Sequence, residues 1–208
     1  MSKLITVCIP TYNRDYFLGR CLRSILSQTF PKNLYEIIVV DDGSNDKTDL
    51  ILNSFSKDVI ILKNKKKLGL SRSLNKAIFK SSGKYFLRLD SDDYVNENYI
   101  NFLYSTLNFN RKEFDGVKCD YYLIDEKENV IRRCNAEKEP IACGILFKIK
   151  DLFDVGMYNE KLKIDEEIDL IKRLNNKKKF KIFRLPIPLY RYRMHKNNLS
   201  KKNESKKK

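Results

Sequence analysis

The chain has no tryptophan, a single histidine, and no Cys-x-x-Cys pair. Its five cysteines, Cys8, Cys21, Cys119, Cys134 and Cys143, are odd in number and widely spaced. A zinc site or a disulfide framework is therefore not expected, and reduced thiols in a cytoplasm are. No stretch approaches the ~18 apolar residues that a membrane span needs. The opening run Leu4-Ile5-Thr6-Val7-Cys8-Ile9 is too short for a signal h-region, lacks a small-residue cleavage site and stops at Pro10. It reads as a first strand. No internal repeat is visible, so repeat architectures are excluded.

Acids are almost missing from the C-terminal stretch. Residues 172–208 carry 15 Lys or Arg against one acid, Glu204. The first 171 residues are nearly balanced, with 27 bases against 26 acids. The formal charge of +15 is thus a property of the C-terminal segment. Residues 201–208 hold no apolar side chain and are expected to form a disordered basic tail. Clustered lysines are drawn to anionic lipid by roughly 1 kcal/mol each. Peripheral contact with an anionic membrane is one expectation for this segment, and solvated lysine is the other.

What is present is an ordinary 42% hydrophobic fraction, ample for one packed domain. Strand-like runs at Leu4–Ile9, Glu36–Val40, Val59–Leu62 and Tyr85–Leu89 alternate with helical patterns. Phe17, Cys21, Leu22, Ile25 and Leu26 recur at helical spacing, as do Leu70, Leu74, Ala77 and Ile78. A second helix is weaker, with Ser44-Asn45-Asp46 as its N-cap region. Such alternation predicts a parallel sheet with helices on both faces. Ligands then bind at the carboxyl ends of the strands. After residue 100 the alternation fails. The sequence predicts a helix over Asn98–Asn110 and a hairpin of Val117–Ile124 with Val130–Cys134. A strand is expected near Gly144–Ile149, a short helix from Leu152, and a helix over Ile168–Leu174. Two late strands, Lys181–Leu185 and Leu189–Met194, flank Pro186 and Pro188.

Three strand ends carry polar, turn-forming sequence that can converge on one ligand: Pro10-Thr11-Tyr12-Asn13-Arg14, Asp41-Asp42-Gly43-Ser44 and Asp90-Ser91-Asp92-Asp93. Clustered acids at the end of a buried strand repel one another. A divalent cation bound through oxygens relieves that repulsion. An EF-hand is excluded, because Val95 and Asn101 stand where a loop starting at Asp90 needs Gly and Glu.

Four blocks, in order, resemble the family 2 glycosyltransferases. They are Val7–Arg14, Val39–Thr48, Asn64–Ile78 centred on Gly69-Leu70-Ser71-Arg72-Ser73-Leu74-Asn75, and Gly83–Asp93. The resemblance covers residues 4–95 and weakens over 96–155. It implies an α/β, GT-A-type, Rossmann-like, mostly parallel sheet flanked by helices, with a smaller mixed acceptor-side lobe. Residues 1–95 would be the nucleotide-sugar-binding half. Residues 96–200 would be the acceptor-side half of the same catalytic domain.

For function the resemblance implies a metal-dependent, inverting transfer from a nucleotide-diphosphate sugar to a hydroxyl of a glycan or lipid-linked acceptor. UDP-sugars are favoured, because an acceptor-only Asp42 suits an imide N–H. The Pro10, Thr11, Tyr12 segment would flank the base. Arg14 and Arg72 can meet phosphate oxygens. Many members carry Arg directly before the Asn of the third block, where this chain has Leu74. Asp92 is the expected ligand of Mn²⁺ or Mg²⁺, with Asp93 as the register alternative and Asp90 at the ribose or metal waters. Asp165-Glu166-Glu167-Ile168-Asp169-Leu170 resembles the family's base-bearing block. Residue matching puts the general base at Glu167, with Asp165 and Glu166 as alternatives. Arg193-Met194-His195 followed by Ser200 resembles a C-terminal element in which His195 approaches the metal or the diphosphate, with Arg193 as a phosphate partner.

The resemblance places such an enzyme in the cytoplasm, or peripherally at the inner face of the plasma membrane, in cell-surface polysaccharide synthesis. A nucleotidyltransferase of the same general fold is the main alternative. Its Gly-rich first loop is absent, since Pro10–Arg14 holds no glycine. A non-catalytic nucleotide-sugar-binding relative is another. Nucleic-acid binding would use the C-terminal charge but not three acidic strand ends, so no nucleic acid is expected.

Overall fold

Apolar residues that run without alternation belong to strands covered on both faces. The first strand, β1 (Ile5–Thr11), is of this kind: Ile5, Val7, Cys8 and Ile9 are fully buried. In the computed structural model, which describes residues 3–196 and Asn198, β1 lies inside a sheet. The basic tail 201–208 and Ser200 lie outside the described residues.

Parallel pairing joins β1 to β2 (Tyr35–Asp41) on one side and to β4 (Tyr85–Arg88) on the other. Beyond β2 lies β3 (Ile60–Lys63), also parallel. The order β3-β2-β1-β4 reverses direction of growth at β1, which is a topological switch point. A crevice therefore opens outside the carboxyl ends of β1 and β4, where Thr11 and Asp90 stand.

Helices cover both faces, as expected. On one face α1 (Asp15–Leu26) packs Leu18, Cys21, Leu22 and Ile25 with Val7, Ile9, Ile37 and Val39. On the other, α3 (Leu70–Lys80) packs Leu74, Ala77 and Ile78 with Cys8, Ile38, Val40 and Phe86. Each fully buried aliphatic side chain contributes about 1.5–3 kcal/mol relative to exposure. The short α2 (Thr48–Ser54) is capped by Lys47 rather than within 44–46. Asp46 still accepts the Thr48 N–H, so it closes the turn without being the cap.

The sheet continues past β4 through a reversal. Strand β8 (Ile145–Lys148) pairs antiparallel with both β4 and β6 (Gly116–Ile124). Hairpin β6–β7 (Val130–Cys134) forms around Asp125, whose carboxylate accepts N–H groups of Lys127 and Asn129. The helix α4 (Tyr99–Phe109) matches its expected span to one residue at each end. The helix expected to begin at Leu152 is α5 (Ile149–Asp154), which starts where β8 ends and finishes at Asp154. The last helix is α6 (Glu166–Lys177).

The two late strands are one. Strand β9 (Ile182–Arg193) runs parallel to β6 through both prolines. Its register shifts near Asp120, where Leu185, Pro188 and Tyr190 face Cys119, Asp120 and Tyr121. The extra residues form a bulge in which Pro needs no ladder N–H. At the far edge the two-residue β5 (Tyr94–Val95) pairs with β9, antiparallel to it. No helix among the described residues is long and apolar enough to cross a membrane. All five cysteines are buried and unpaired.

Candidate active site

A cavity of about 1050 Å³ opens at the switch point. Its wall includes Pro10, Thr11, Tyr12 and Arg14 from the end of β1. Asp42 follows β2, and Gly69–Ser73 open α3. Asp90, Ser91 and Asp92 follow β4, and Asp165, Glu166 and Glu167 begin α6. Three strand ends and two helix starts, far apart in sequence, thus meet as the sequence predicts. Arg193, His195 and Asp93 are not part of that wall.

Asp42 is held firmly. Its Oδ1 accepts the Leu68 N–H and the Asn64 amide at 2.8 Å each, and its Oδ2 accepts the Gly69 N–H at 2.8 Å. The next residue, Gly43, has φ +79°, and a Cβ there would lie 2.8 Å from the Lys66 carbonyl carbon. Only glycine lets this turn approach the 66–69 loop closely enough for those bonds. Lys67 sits above the Tyr12 ring, its ammonium 3.9 Å from the centroid.

The acid cluster divides into three environments. Asp90 is clasped by Arg88, Nε to Oδ1 at 2.7 Å and Nη2 to Oδ2 at 3.0 Å. Asp92 Oδ2 lies 2.9 Å from His195 Nε2 and 3.2 Å from Arg14 Nε. Burial raises the Asp92 pKa, but the His195 hydrogen bond and the Arg14 charge outweigh it and hold the carboxyl below its usual range. Asp93 turns inward and is 2% exposed. Its Oδ2 accepts the Tyr190 hydroxyl at 2.7 Å and its Oδ1 the Arg193 N–H at 2.8 Å. Burial pushes its pKa well up.

Two groupings have metal-ligand character. Asp90, Asp93 and Cys143 bring ligand atoms within 4.8 Å of one another. There, Asp93 is already engaged through both oxygens, and burial drives the Cys143 thiol pKa upward. A thiol is also a poor donor to Mg²⁺ or Mn²⁺. The pair Asp92 and His195 offers a carboxylate oxygen and an imidazole nitrogen 2.9 Å apart, which fits Mn²⁺ better.

Arg193 is placed away from the cavity. Its Nε donates to the Asp92 carbonyl at 2.9 Å, Nη1 to the Glu126 carbonyl at 3.1 Å, and Nη2 to Glu128 Oε1 at 2.9 Å. It ties the acid loop to the β6–β7 turn. Arg72 lies at the cavity wall, its Nε 3.2 Å from Glu160 Oε2, about half exposed.

At the start of α6 the three acids separate by contact. Asp165 is exposed at the N-cap with φ +61°. Glu166 Oε1 accepts Arg88 Nη1 at 2.7 Å. Glu167 Oε2 accepts the Tyr158 hydroxyl, while its Oε1 is buried without a partner. Burial raises the Glu167 pKa to about 8, against the opposing charge of Arg88.

Arg88 and Tyr158 are therefore site residues that the sequence reading did not single out. Arg88 had a signal: a lone charge inside the apolar run Tyr85–Leu89 demands buried partners. Tyr158 stood in the sequence only as the end of Gly156-Met157-Tyr158, upstream of the acidic block, and nothing there marked it as the partner of Glu167 nine residues on.

The sequence pattern of Glycosyl transferase family 2 matches residues 6–159. Glycosyltransferase GlyG of Streptococcus pneumoniae serotype 4 is 39% identical over 131 residues, which is 62% of this chain. The chain spans 42% of GlyG's length. Among solved structures, S. aureus TarS 1-349 in complex with UDP-GlcNAc aligns with TM-score 0.77 at 20% identity, over 94% of this chain and 60% of that one. The mannosyltransferase PcManGT from Pyrobaculum calidifontis, in complex with GDP-Man and Mn²⁺, aligns with TM-score 0.76 at 17% identity, over 95% and 59%. The two solved structures establish the GT-A fold, and the match across most of its length makes this chain a member of glycosyltransferase family 2.

Proposed function

We propose that the chain moves a sugar from a nucleotide-diphosphate sugar, a UDP-sugar in the first instance, to a hydroxyl of a glycan or lipid-linked acceptor. The transfer inverts the anomeric carbon and depends on a divalent metal. One observation carries this reading. Glu167 is a buried carboxyl with a raised pKa and an unpartnered oxygen, on the wall of a cavity shared with Asp42, Asp90 and Asp92. That is the environment of a general base.

The donor half follows from the contacts. Asp42 uses three of about four lone-pair sites internally, so one remains for an imide N–H. Pro10, Thr11 and Tyr12 flank the base, and Arg14 is the guanidinium beside the diphosphate. Arg72 reaches phosphate once Glu160 releases it. Asp90, fixed by Arg88, meets the ribose. Asp92 and His195 would hold Mn²⁺ or Mg²⁺, which supplies positive charge against the departing diphosphate. Arg193 positions Asp92 through its carbonyl.

In the reaction Glu167 takes the acceptor hydroxyl proton. The hydroxyl oxygen bonds to the anomeric carbon as the bond from that carbon to the diphosphate oxygen breaks on the opposite face. Glu166 is paired with Arg88 and Asp165 is exposed at the cavity wall, which supports Glu167 as the base over these two alternatives. TarS and PcManGT, solved with UDP-GlcNAc and with GDP-Man and Mn²⁺, support the donor class and the metal. Five buried, unpaired thiols support a reducing compartment, and a UDP-sugar donor supports the cytoplasm.

The experiment is a nucleotide-sugar panel with Mn²⁺, run on wild type and Glu167→Gln. Donor binding should persist in the variant while transfer falls by roughly 10²–10⁴-fold. Unchanged turnover removes Glu167 from the base role. A wild type that binds no nucleotide sugar removes the glycosyl-transfer reading itself.

A further inference from the structure

The cavity extends past the base to a cation that the donor does not need. Val117, Cys119 and Tyr121 of β6 belong to one apolar face, so Lys118 and Asp120 share the other. Lys118 lines the cavity with Pro140 and Ile141. Asp120, two residues along, is already saturated. Its oxygens accept Arg184 Nε at 2.8 Å, Arg184 Nη2 at 2.7 Å, Arg133 Nη2 at 3.0 Å and the Ala136 N–H at 3.0 Å. Among the described residues no carboxylate pairs with Lys118, although the Glu137 charge reaches it and Arg184 repels it. Burial lowers the Lys118 pKa. The half-buried ammonium faces no carboxylate at ion-pair distance among the described residues, so its donors are open to the anion of a ligand.

The sheet register says where that ligand would lie. Leu87 faces Leu146, and the Gly144 N–H donates to the Arg88 carbonyl at 3.0 Å, so Arg88 stands beside Ile145. Ile145 in turn faces Lys118. Arg88 and Lys118 therefore occupy one cross-strand row on one face, two strands or roughly 10 Å apart. Arg88 is consumed by Asp90 and Glu166, and Glu167 lies beside it, Oε2 3.9 Å from Nη1. The donor strands β1, β2 and β3 lie on the opposite side of β4 from Lys118. An acceptor whose hydroxyl reaches Glu167 and which extends away from the donor strands would meet Lys118 on the same cavity wall.

Resting on the proposed transfer reaction, we infer that Lys118 is an acceptor-reading residue and that the acceptor carries an anionic group, a phosphate or a carboxylate, near the hydroxyl that is glycosylated. A neutral glycan leaves Lys118 without an anion at contact distance. An anionic one supplies the missing charge, which is how a site built around a charge selects its substrate.

The test uses a nucleotide sugar that the wild type turns over and three acceptors on one glycan scaffold: neutral, phosphate-bearing and carboxylate-bearing. Wild type should favour one or both anionic acceptors by about tenfold or more in kcat/KM, and the two arms tell phosphate from carboxylate. Lys118→Met, of similar length and apolar, should erase the preference by raising acceptor KM, and Lys118→Arg should restore it. A wild type with no preference overturns the inference, as does a Met variant whose donor KM rises instead. Should the Met variant fail to fold, the wild-type preference and its retention in the Arg variant decide. Nucleotide-sugar turnover without acceptor preference sinks this inference alone. Absence of any nucleotide-sugar binding sinks the proposed function with it.

Discussion

Tyr158 donates its hydroxyl to Oε2 of Glu167 at 3.0 Å, and the other carboxylate oxygen of Glu167 is buried without a partner. One oxygen is fixed and the other is left to accept a proton. The hydroxyl favours the charged carboxylate, while burial disfavours it, and burial wins.

This balance predicts a pH profile. With the Glu167 pKa raised to about 8, kcat should rise with pH through that region, since the base must be ionised. Tyr158→Phe removes a group that lowers the pKa, so the rising limb should move to higher pH. A move of half to one unit would reduce kcat at about pH 7 by roughly three- to tenfold. The check is kcat against pH at saturating donor. A limb that moves to lower pH contradicts the assignment.

The same group makes stability depend on pH in a defined sense. A carboxyl with a folded pKa above its ordinary 4.5 binds its proton more tightly when folded. Wild-type stability therefore falls as pH rises from the ordinary value to about 8, and the loss levels off above that. Glu167→Gln removes the titration. Its stability advantage should be near zero at about pH 4 and on the order of a few kcal/mol at about pH 9. Denaturant melts across that range measure it. An advantage that does not change with pH would show that Glu167 is not held protonated.

Asp92 and Asp93 should separate cleanly. Asp92→Ala removes the carboxylate beside His195, and Mn²⁺-stimulated nucleotide binding should drop by more than about tenfold. Asp93→Asn breaks bonds to Tyr190 and Arg193 in the core, so it should lower Tm while leaving Mn²⁺ stimulation in place. Titration calorimetry with UDP, with and without Mn²⁺, distinguishes them. Metal stimulation lost only in the Asp93 variant would move the ligand to Asp93.

Arg193→Met should unlatch the acid loop. The Asp92 and Glu126 carbonyls lose their donor, and Glu128 loses one of its two cations. The expected cost is about 1.5–3 kcal/mol of stability, together with a raised donor KM. A variant with wild-type stability and donor KM would show that the latch is idle.

Much of the first half was legible because β1, β2 and β4 are largely buried and end abruptly in polar turns. Leu4–Ile9 and Tyr85–Leu89 announce themselves in that way, and the switch point then brings Arg14, Asp42 and Asp92 together. The later half hides its order in long-range partners. Pro186 and Pro188 read as breaks, yet a bulge against Asp120 carries β9 through both. Two-residue β5 is too short to leave a pattern. Arg193 is expected at a phosphate through the resemblance of its C-terminal element, but its partners are the Asp92 carbonyl and the turn at Glu126 and Glu128, which periodicity does not reveal. Asp42 owes its orientation to the N–H groups of Leu68 and Gly69, and backbone donors have no residue type to read.

The Arg193 latch also sets an order of events in time. Asp92 and Arg193 are 101 residues apart, and β5 pairs with β9. As the polypeptide leaves the ribosome, β1 to β4 are complete long before β9, the strand that fastens the acid loop, exists. Contacts of such separation form late, after the entropy of closing a long loop has been met. A nascent chain halted before residue 193 would have the strands of the switch point but no guanidinium on the Asp92 carbonyl, so the acid loop is fastened only when almost the last described residues emerge.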